Sequence, residues 1–107
     1  MLKIALVAAV LSVSTQAMAQ EKTLGRSGTD TVFVWKNSDA QSEAFKLISA
    51  GVHKTNPTLV FRLMSCMVDN GTKAVVTDGG MFSSTVLITS GKNSGCRGVI
   101  PNEDLRS

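Results

Sequence analysis

Hydrophobic and polar positions in the first half of the chain predict one strand followed by one helix. The run Thr31–Trp35 is β-branched and aromatic, as is typical of a short strand. A helix is expected to begin at Ser38, because this residue is a good N-cap and Gln41 follows three positions later as in a capping box. Gly51 suits the position after the last turn, and Pro57 lies beyond it.

Apolar residues recur along this helix at steps of three and four: Ala40, Ala44, Phe45, Ile48 and Val52. Such a stripe needs a sheet to cover it.

From residue 58 onward the pattern changes to strands. Four apolar or β-branched runs are predicted as strands: 58–68, 72–77, 82–89 and 96–100. Polar, glycine-rich turns separate them. Asn70-Gly71 is a favoured hairpin turn, which explains this site without the glycosylation that Asn70-Gly71-Thr72 would also permit. The predicted fold class is therefore α+β, a small and mostly antiparallel β-barrel at about 58–106 with one N-terminal strand and helix packed on it.

The first nineteen residues have the three parts of a secretory signal peptide in the expected order. A positive start at Lys3 precedes the apolar run Ile4–Val13 and the small-residue exit Ala17-Met18-Ala19. The apolar run is about ten residues, shorter than the roughly twenty that span a bilayer, which disfavours a retained membrane anchor. We therefore expect cleavage after residue 19 and a periplasmic or secreted product that is not membrane-anchored. Residues 20–30 are polar and contain two glycines, so they are predicted to be a flexible leader before a single domain at 31–107.

The two cysteines, Cys66 and Cys96, are predicted to form a disulfide. Cleavage after residue 19 would leave 88 of the 107 residues, a size at which a hydrophobic core alone gives marginal stability. An even number of cysteines in an oxidising compartment favours pairing. The alternative, a catalytic thiol, would need an unpaired cysteine and is disfavoured.

Charge and side-chain chemistry argue against several classes of function. The net charge is +3 with acids and bases interspersed, so the chain lacks the basic stripe that a nucleic-acid backbone requires. His53 is the only histidine, and it lies at the end of the predicted helix, where an imidazole commonly meets free carbonyl groups. One histidine and a paired set of cysteines leave too few ligands for zinc. We expect no cofactor, no metal, no nucleic-acid partner and no enzymatic activity.

The last third of the chain carries a pattern that is known from one family. A strand ending Val86-Leu87-Ile88 is followed by Gly98-Val99-Ile100-Pro101 and, after a short polar segment, by Leu105. The segment 59–106 resembles bacterial Src-homology-3-like domains, in which a glycine, two apolar residues, a proline or polar residue, a short helical turn and a final leucine close the barrel. The resemblance implies the barrel fold, and no ligand-binding residue can be carried over from it. Family members that capture proline-rich peptides use a groove of aromatic side chains, whereas this chain has no tyrosine, so that ligand is disfavoured.

A stable exported scaffold without recognisable chemistry favours a non-enzymatic binding module for a cell-wall polymer or another envelope component. The loops 78–84 and 90–95 are predicted to carry the ligand surface, and its candidate residues are Asp78, Met81, Phe82, Lys92 and Asn93. Two alternatives stay open. One is a small accessory subunit of an envelope or secretion assembly, whose partner protein covers the helix face and strand 31–35. The other is an inhibitor of a foreign hydrolase.

Overall fold

The computed structural model describes residues 21–106, and within them it has one seven-stranded antiparallel sheet and three helices, an α+β fold. The strands are β1 Glu21–Leu24, β2 Thr31–Trp35, β3 Met64–Asp69, β4 Lys73–Asp78, β5 Ser83–Ile88, β6 Arg97–Pro101 and β7 Leu105–Arg106. The helices are α1 Ser38–Ser49, α2 Val52–Thr55 and α3 Pro57–Phe61, and a 3-10 turn covers Asn102–Asp104. The signal peptide predicted at 1–19 lies outside the described residues.

The strand and helix predicted between residues 31 and 51 are confirmed, with a shift of one residue at the helix start. Strand β2 has the predicted bounds. Asn37 caps α1 in place of Ser38, because the Asn37 Oδ1 accepts a hydrogen bond from the Ala40 backbone N–H at 2.8 Å. Gly51 follows the helix in the left-handed region with φ +80°, as its position predicts. Because the chain turns there, Val52 begins α2 and does not continue the apolar stripe of α1.

The strand predicted at 58–68 is wrong in its first half, where the chain forms helix α3 before entering β3 at Met64. Pro57 lies in the first turn of α3, where its missing N–H removes no helical hydrogen bond. A continuous apolar run has no periodicity that separates a short helix from a buried strand. The other three predicted strands agree with β4, β5 and β6 to within one residue at each end.

The prediction of a flexible leader at 20–30 is wrong, because residues 21–24 form strand β1, which is paired on both sides in the sheet. Strand β1 pairs with both β4 and β7. Leu24 is fully buried, and its backbone N–H and carbonyl both bond to the turn after β3, to Thr72 and Gly71 respectively, at 2.8 Å. The folded domain therefore includes residues before 31. A four-residue strand with only one strongly apolar side chain gives too little pattern to be recognised in the sequence.

The sheet is strongly curved but not closed. Its strand order is β3-β2-β6-β5-β4-β1-β7, so three strands lie between β3 and β4. In a flat sheet these two strands would be about 19 Å apart, at roughly 4.8 Å per strand. The four residue-to-residue steps from Asp69 to Lys73 can span at most about 14 Å, so the sheet must curl to bring the two strands together. The Asn70-Gly71 turn accordingly joins strands that are not paired, and the prediction of a hairpin there is wrong.

Alternate residues of β2 enter two separate hydrophobic clusters. Val32 and Val34 belong to the first cluster, which we call the sheet core. Its buried members are Leu24, Val32, Val34, Val68, Ala74, Val86, Ile88 and Ile100. Phe33 and Trp35 point to the other side of β2, where Trp35 packs with Ala44 of α1 and Val60 of α3. This second group, the helix cluster, attaches the helices to the sheet.

The predicted disulfide between Cys66 and Cys96 is present, with 6.7 Å between the two Cα atoms. Cys66 lies on the edge strand β3, and Cys96 immediately precedes β6, two strands away. Both cysteines pack against the sheet core. Within residues 21–106, no helix has the length and apolar character needed to cross a membrane.

Candidate functional site

The five predicted ligand residues do not form one surface, because they lie at opposite ends of β5. Asp78 is the last residue of β4, and Met81 and Phe82 belong to the connection between β4 and β5. Lys92 and Asn93 belong to the connection between β5 and β6. The six residues of β5 separate the two connections by about 17 Å, at roughly 3.3 Å per residue. Each end must therefore be assessed as a site of its own.

The β4–β5 connection presents two large apolar side chains to the solvent. Met81 is 83% exposed and Phe82 is 79% exposed, more than any other large hydrophobic residue of the described chain. Asn102, in the 3-10 turn, holds their backbone: its Nδ2 donates to the carbonyls of Gly80 at 2.8 Å and Met81 at 3.1 Å. Its backbone N–H donates to the Phe82 carbonyl at 2.8 Å. We call residues 79–82 the Met81–Phe82 tip.

A second set of contacts fixes the base of this tip. The Ser84 hydroxyl donates to the Asn102 Oδ1 at 2.6 Å, so every polar atom of the Asn102 side chain is engaged. The Gln41 Nε2 of α1 donates to the Ser83 hydroxyl at 2.6 Å. Gly80 leaves no room for a side chain, since an added Cβ would lie 2.5 Å from the Ser83 carbonyl oxygen. The exposed Met81 and Phe82 side chains therefore project from a backbone that is held in place.

The other predicted loop, 90–95, has a structural role. The Asn93 Nδ2 donates to the Met67 carbonyl of β3 at 2.8 Å, and the Cys66–Cys96 disulfide lies next to this contact in the chain. Together they fasten the loop to the edge strand. The cavity between the loop and β3 has a volume of only about 60 Å³, and Lys92 is among its lining residues. This end offers room for little more than one or two water molecules.

A cleft that the sequence does not reveal lies between β2 and α1. Its main part has a volume of about 670 Å³, and an adjoining part of about 180 Å³ extends toward α3. Phe33 of β2 and Ile48 of α1 line both parts, so the two parts lie side by side. We call the two parts together the β2–α1 cleft. The apolar stripe of α1 predicts the packing of this helix on a sheet, but not the gap that its C-terminal half leaves.

The β2–α1 cleft is polar at one end and apolar at the other. The polar end is lined by Arg26, Thr29, Thr31 and Ser49. The apolar end is lined by Phe33, Ile48, His53, Pro57, Val60, Phe61 and Met64. Phe45 and Phe61 are 38% and 55% exposed, so aromatic surface remains open along the cleft. The sole tryptophan, Trp35, lies directly behind it, with its ring centroid 5.7 Å from that of Phe33 and 6.1 Å from that of Phe45.

The titratable groups near the cleft do not form a reactive cluster. The imidazole of His53 lies in α2, and its Nδ1 is buried without a hydrogen-bond partner in the described part of the chain. Asp104 is buried as well, and burial raises the pKa of its carboxyl above the usual 3.8 although Arg26 opposes the rise. Among residues 21–106, no three His, Cys, Asp or Glu side chains come together in a way that could hold a metal ion.

Comparisons with known proteins do not identify a family for this chain. No protein-family model, curated protein or solved structure matches the chain.

Proposed function

We propose that this protein is an exported, non-enzymatic binding module that attaches to an envelope protein through the Met81–Phe82 tip. The observation that carries the proposal is the exposure of two adjacent large apolar side chains, at 83% and 79%, on a backbone that Asn102 holds with three hydrogen bonds. Burying both side chains in a partner would contribute several kcal/mol of hydrophobic free energy, at about 1.5–3 kcal/mol for each. Little ordering entropy of the loop would oppose it, because the loop backbone is already held.

The chemistry of the tip favours a protein over a cell-wall polymer. A glycan needs several free hydrogen-bonding groups, but the side-chain amide of Asn102 is fully engaged with Gly80, Met81 and Ser84. Methionine and phenylalanine are enriched at the cores of protein interfaces. An accessory subunit of an envelope or secretion assembly fits this surface, while a cell-wall polymer and a foreign hydrolase are partners that the experiment below separates from it.

Export and the finer fold assignment belong to the same proposal. The predicted signal peptide at 1–19 supports export, and the Cys66–Cys96 disulfide is compatible with an oxidising compartment. We also propose that the curved sheet is an open variant of the Src-homology-3-like barrel. Two features support this: Gly98 lets β6 approach the Trp35 carbonyl so closely that a Cβ would collide with it, and Leu105 folds back against the sheet core in β7.

The proposal is tested by the binding of the oxidised, fluorescently labelled protein to three preparations from the source cells: intact envelope, protease-treated envelope and purified protein-free sacculi. We expect saturable binding to intact envelope only. Met81→Ser/Phe82→Ser should reduce this binding at least tenfold, whereas the control Met67→Ser, which removes an exposed methionine from β3, should not.

Binding to protein-free sacculi, or binding that survives protease treatment, would overturn the proposal in favour of a polymer. Equal binding by the double variant and the unaltered protein would show that the tip is not the docking surface. A saturable complex with a purified lysozyme or protease, together with no envelope binding, would point to the inhibitor alternative.

A further inference from the structure

We propose that the β2–α1 cleft binds a single-chain anionic amphiphile, that is, a fatty acid or a molecule with the same long acyl chain and acidic head. This goes beyond the proposed attachment to an envelope protein, because it uses a different surface. The cleft suits this ligand in its volume, in the polarity of its two ends and in the charge of Arg26 at one of them.

The volume of the cleft fits a small ligand. Its main part of about 670 Å³ lies within the roughly 300–1,000 Å³ that is typical of small-molecule sites. The adjoining part of about 180 Å³ is smaller, and its lining includes Val60, Phe61 and Met64. A flexible chain can bend to occupy both neighbouring parts, whereas a compact ring system would occupy only one.

The apolar end provides the surface that an acyl chain requires. Phe33, Ile48 and Phe61 line it with aromatic and aliphatic side chains, and its single polar side chain is His53. Phe33 is only partly buried although it packs on the helix cluster, so its outer side remains available for contact. Each methylene group that enters such a space should strengthen binding about fourfold, the equilibrium effect of burying one CH₂.

The polar end provides a place for an acidic head. Arg26 lies there with the hydroxyl-bearing side chains of Thr31 and Ser49. The Asn70 side chain fixes the Arg26 backbone, since its Oδ1 accepts from the Arg26 N–H at 3.2 Å and its Nδ2 donates to the Arg26 carbonyl at 3.3 Å. Asn70 lies in the turn after β3, and its side chain thus serves to hold the Arg26 backbone.

Arg26 forms ion pairs with two carboxylates, so an acidic head in the cleft would compete with them. The guanidinium lies 3.7 Å from an oxygen of Glu103 and 3.7 Å from an oxygen of Asp104, and both distances exceed that of a hydrogen bond. Neither carboxylate lines the cleft, and among residues 21–106 no lining residue of either part is acidic.

The sole tryptophan provides the measurement. Trp35 lies behind Phe33 and Phe45, so a nitroxide-labelled stearate in the cleft should quench its fluorescence. Unlabelled octanoate, decanoate and dodecanoate, each below its micelle concentration, are then used to reverse the quenching. We expect saturable quenching and competition that improves about fifteenfold for each pair of added methylene groups. Dodecanoate methyl ester, which lacks the charge, should compete two- to fivefold more weakly than dodecanoate, as expected for a partly exposed ion pair.

Two variants locate the ligand. Ile48→Asp places a carboxylate in the wall shared by both parts of the cleft and should abolish quenching, with far-ultraviolet circular dichroism confirming that the variant is folded. Arg26→Gln should remove the difference between dodecanoate and its ester. Met81→Ser/Phe82→Ser should bind the probe normally, so that failure of envelope attachment and failure of amphiphile binding are distinguishable.

The absence of saturable quenching would overturn the inference, and so would affinity that does not change with chain length. If Ile48→Asp proves unfolded, the chain-length series on the unaltered protein decides the matter by itself. Equal competition by dodecanoate and its ester would overturn the assignment of an acidic head.

Discussion

Replacing Cys66 and Cys96 together by alanine removes the covalent link between β3 and the segment that leads into β6. Strand β3 is an edge strand, and among the described strands it pairs only with β2, so the disulfide is its second firm attachment. On the chain-entropy model a bridge across a separation of 30 residues contributes about 3.6 kcal/mol to the free energy of unfolding. Both cysteines also contact the sheet core, so the loss of their sulfur atoms adds a smaller packing term.

Urea unfolding followed by circular dichroism measures this loss directly. For a domain of this size, 3.6 kcal/mol corresponds to a fall in Tm of about 15–25 °C. Met67→Ala is a suitable control, because this neighbour of Cys66 on β3 is 47% exposed and should change the free energy of unfolding by less than about 1 kcal/mol. A double cysteine variant that unfolds within 1 kcal/mol of the unaltered protein would refute the argument that the bridge is what holds β3.

Three further predictions follow from single residues. Leu24→Ala should lower the free energy of unfolding by about 2–5 kcal/mol, since this side chain is fully buried in the sheet core. A loss below about 0.5 kcal/mol would show that residues 21–24 do not contribute to the folded core. Gly80→Ala should lower the free energy of unfolding by about 1–3 kcal/mol, because the added Cβ would collide with the Ser83 carbonyl oxygen. Gly79→Ala is the control and should be neutral, since its added Cβ would lie 3.8 Å from the nearest atom. Equal melting curves for the two variants would contradict this prediction. The raised pKa of Asp104 means that the native state holds this proton more tightly than the unfolded state, so the Asp104 contribution to stability falls as the pH rises from 3.8 through the raised native value. Asp104→Asn should reduce the slope of unfolding free energy against pH in the range just above pH 3.8. An unchanged slope there would contradict the raised pKa of Asp104.

The sequence predicts those elements whose pattern repeats over several residues. Strand β2 is recognised because five consecutive residues are β-branched or aromatic, and α1 because its apolar positions recur over three turns between a cap and Gly51. Strand β1 is missed because Leu24 alone carries its burial. Helix α3 is read as a strand because Thr58 to Phe61 are β-branched, aliphatic or aromatic residues that suit either structure, and only the position of Pro57 favours the helix.

The candidate site is predicted less well than the fold, because it depends on contacts between distant residues. Met81 and Phe82 can be named from the sequence as loop residues, but their rigidity depends on Asn102, twenty positions later. Asn93 is named for a ligand surface, yet its side chain holds β3 through Met67. No local pattern contains these contacts: those of Asn102 arise when β5 and β6 align, and that of Asn93 arises when its loop meets β3.

The Met81–Phe82 tip can be tested for function apart from folding. Neither the sheet core nor the helix cluster contains Met81 or Phe82, whereas the cleft is lined in part by Val60 of the helix cluster. Helix α1 serves both surfaces through different turns: Gln41, near its start, holds the base of the tip, while Phe45 and Ile48 form one wall of the cleft. A substitution at Met81 or Phe82 removes little buried area and should leave the free energy of unfolding nearly unchanged. A loss of binding in such a variant therefore reports on recognition, because the core that stabilises the fold is made by other residues.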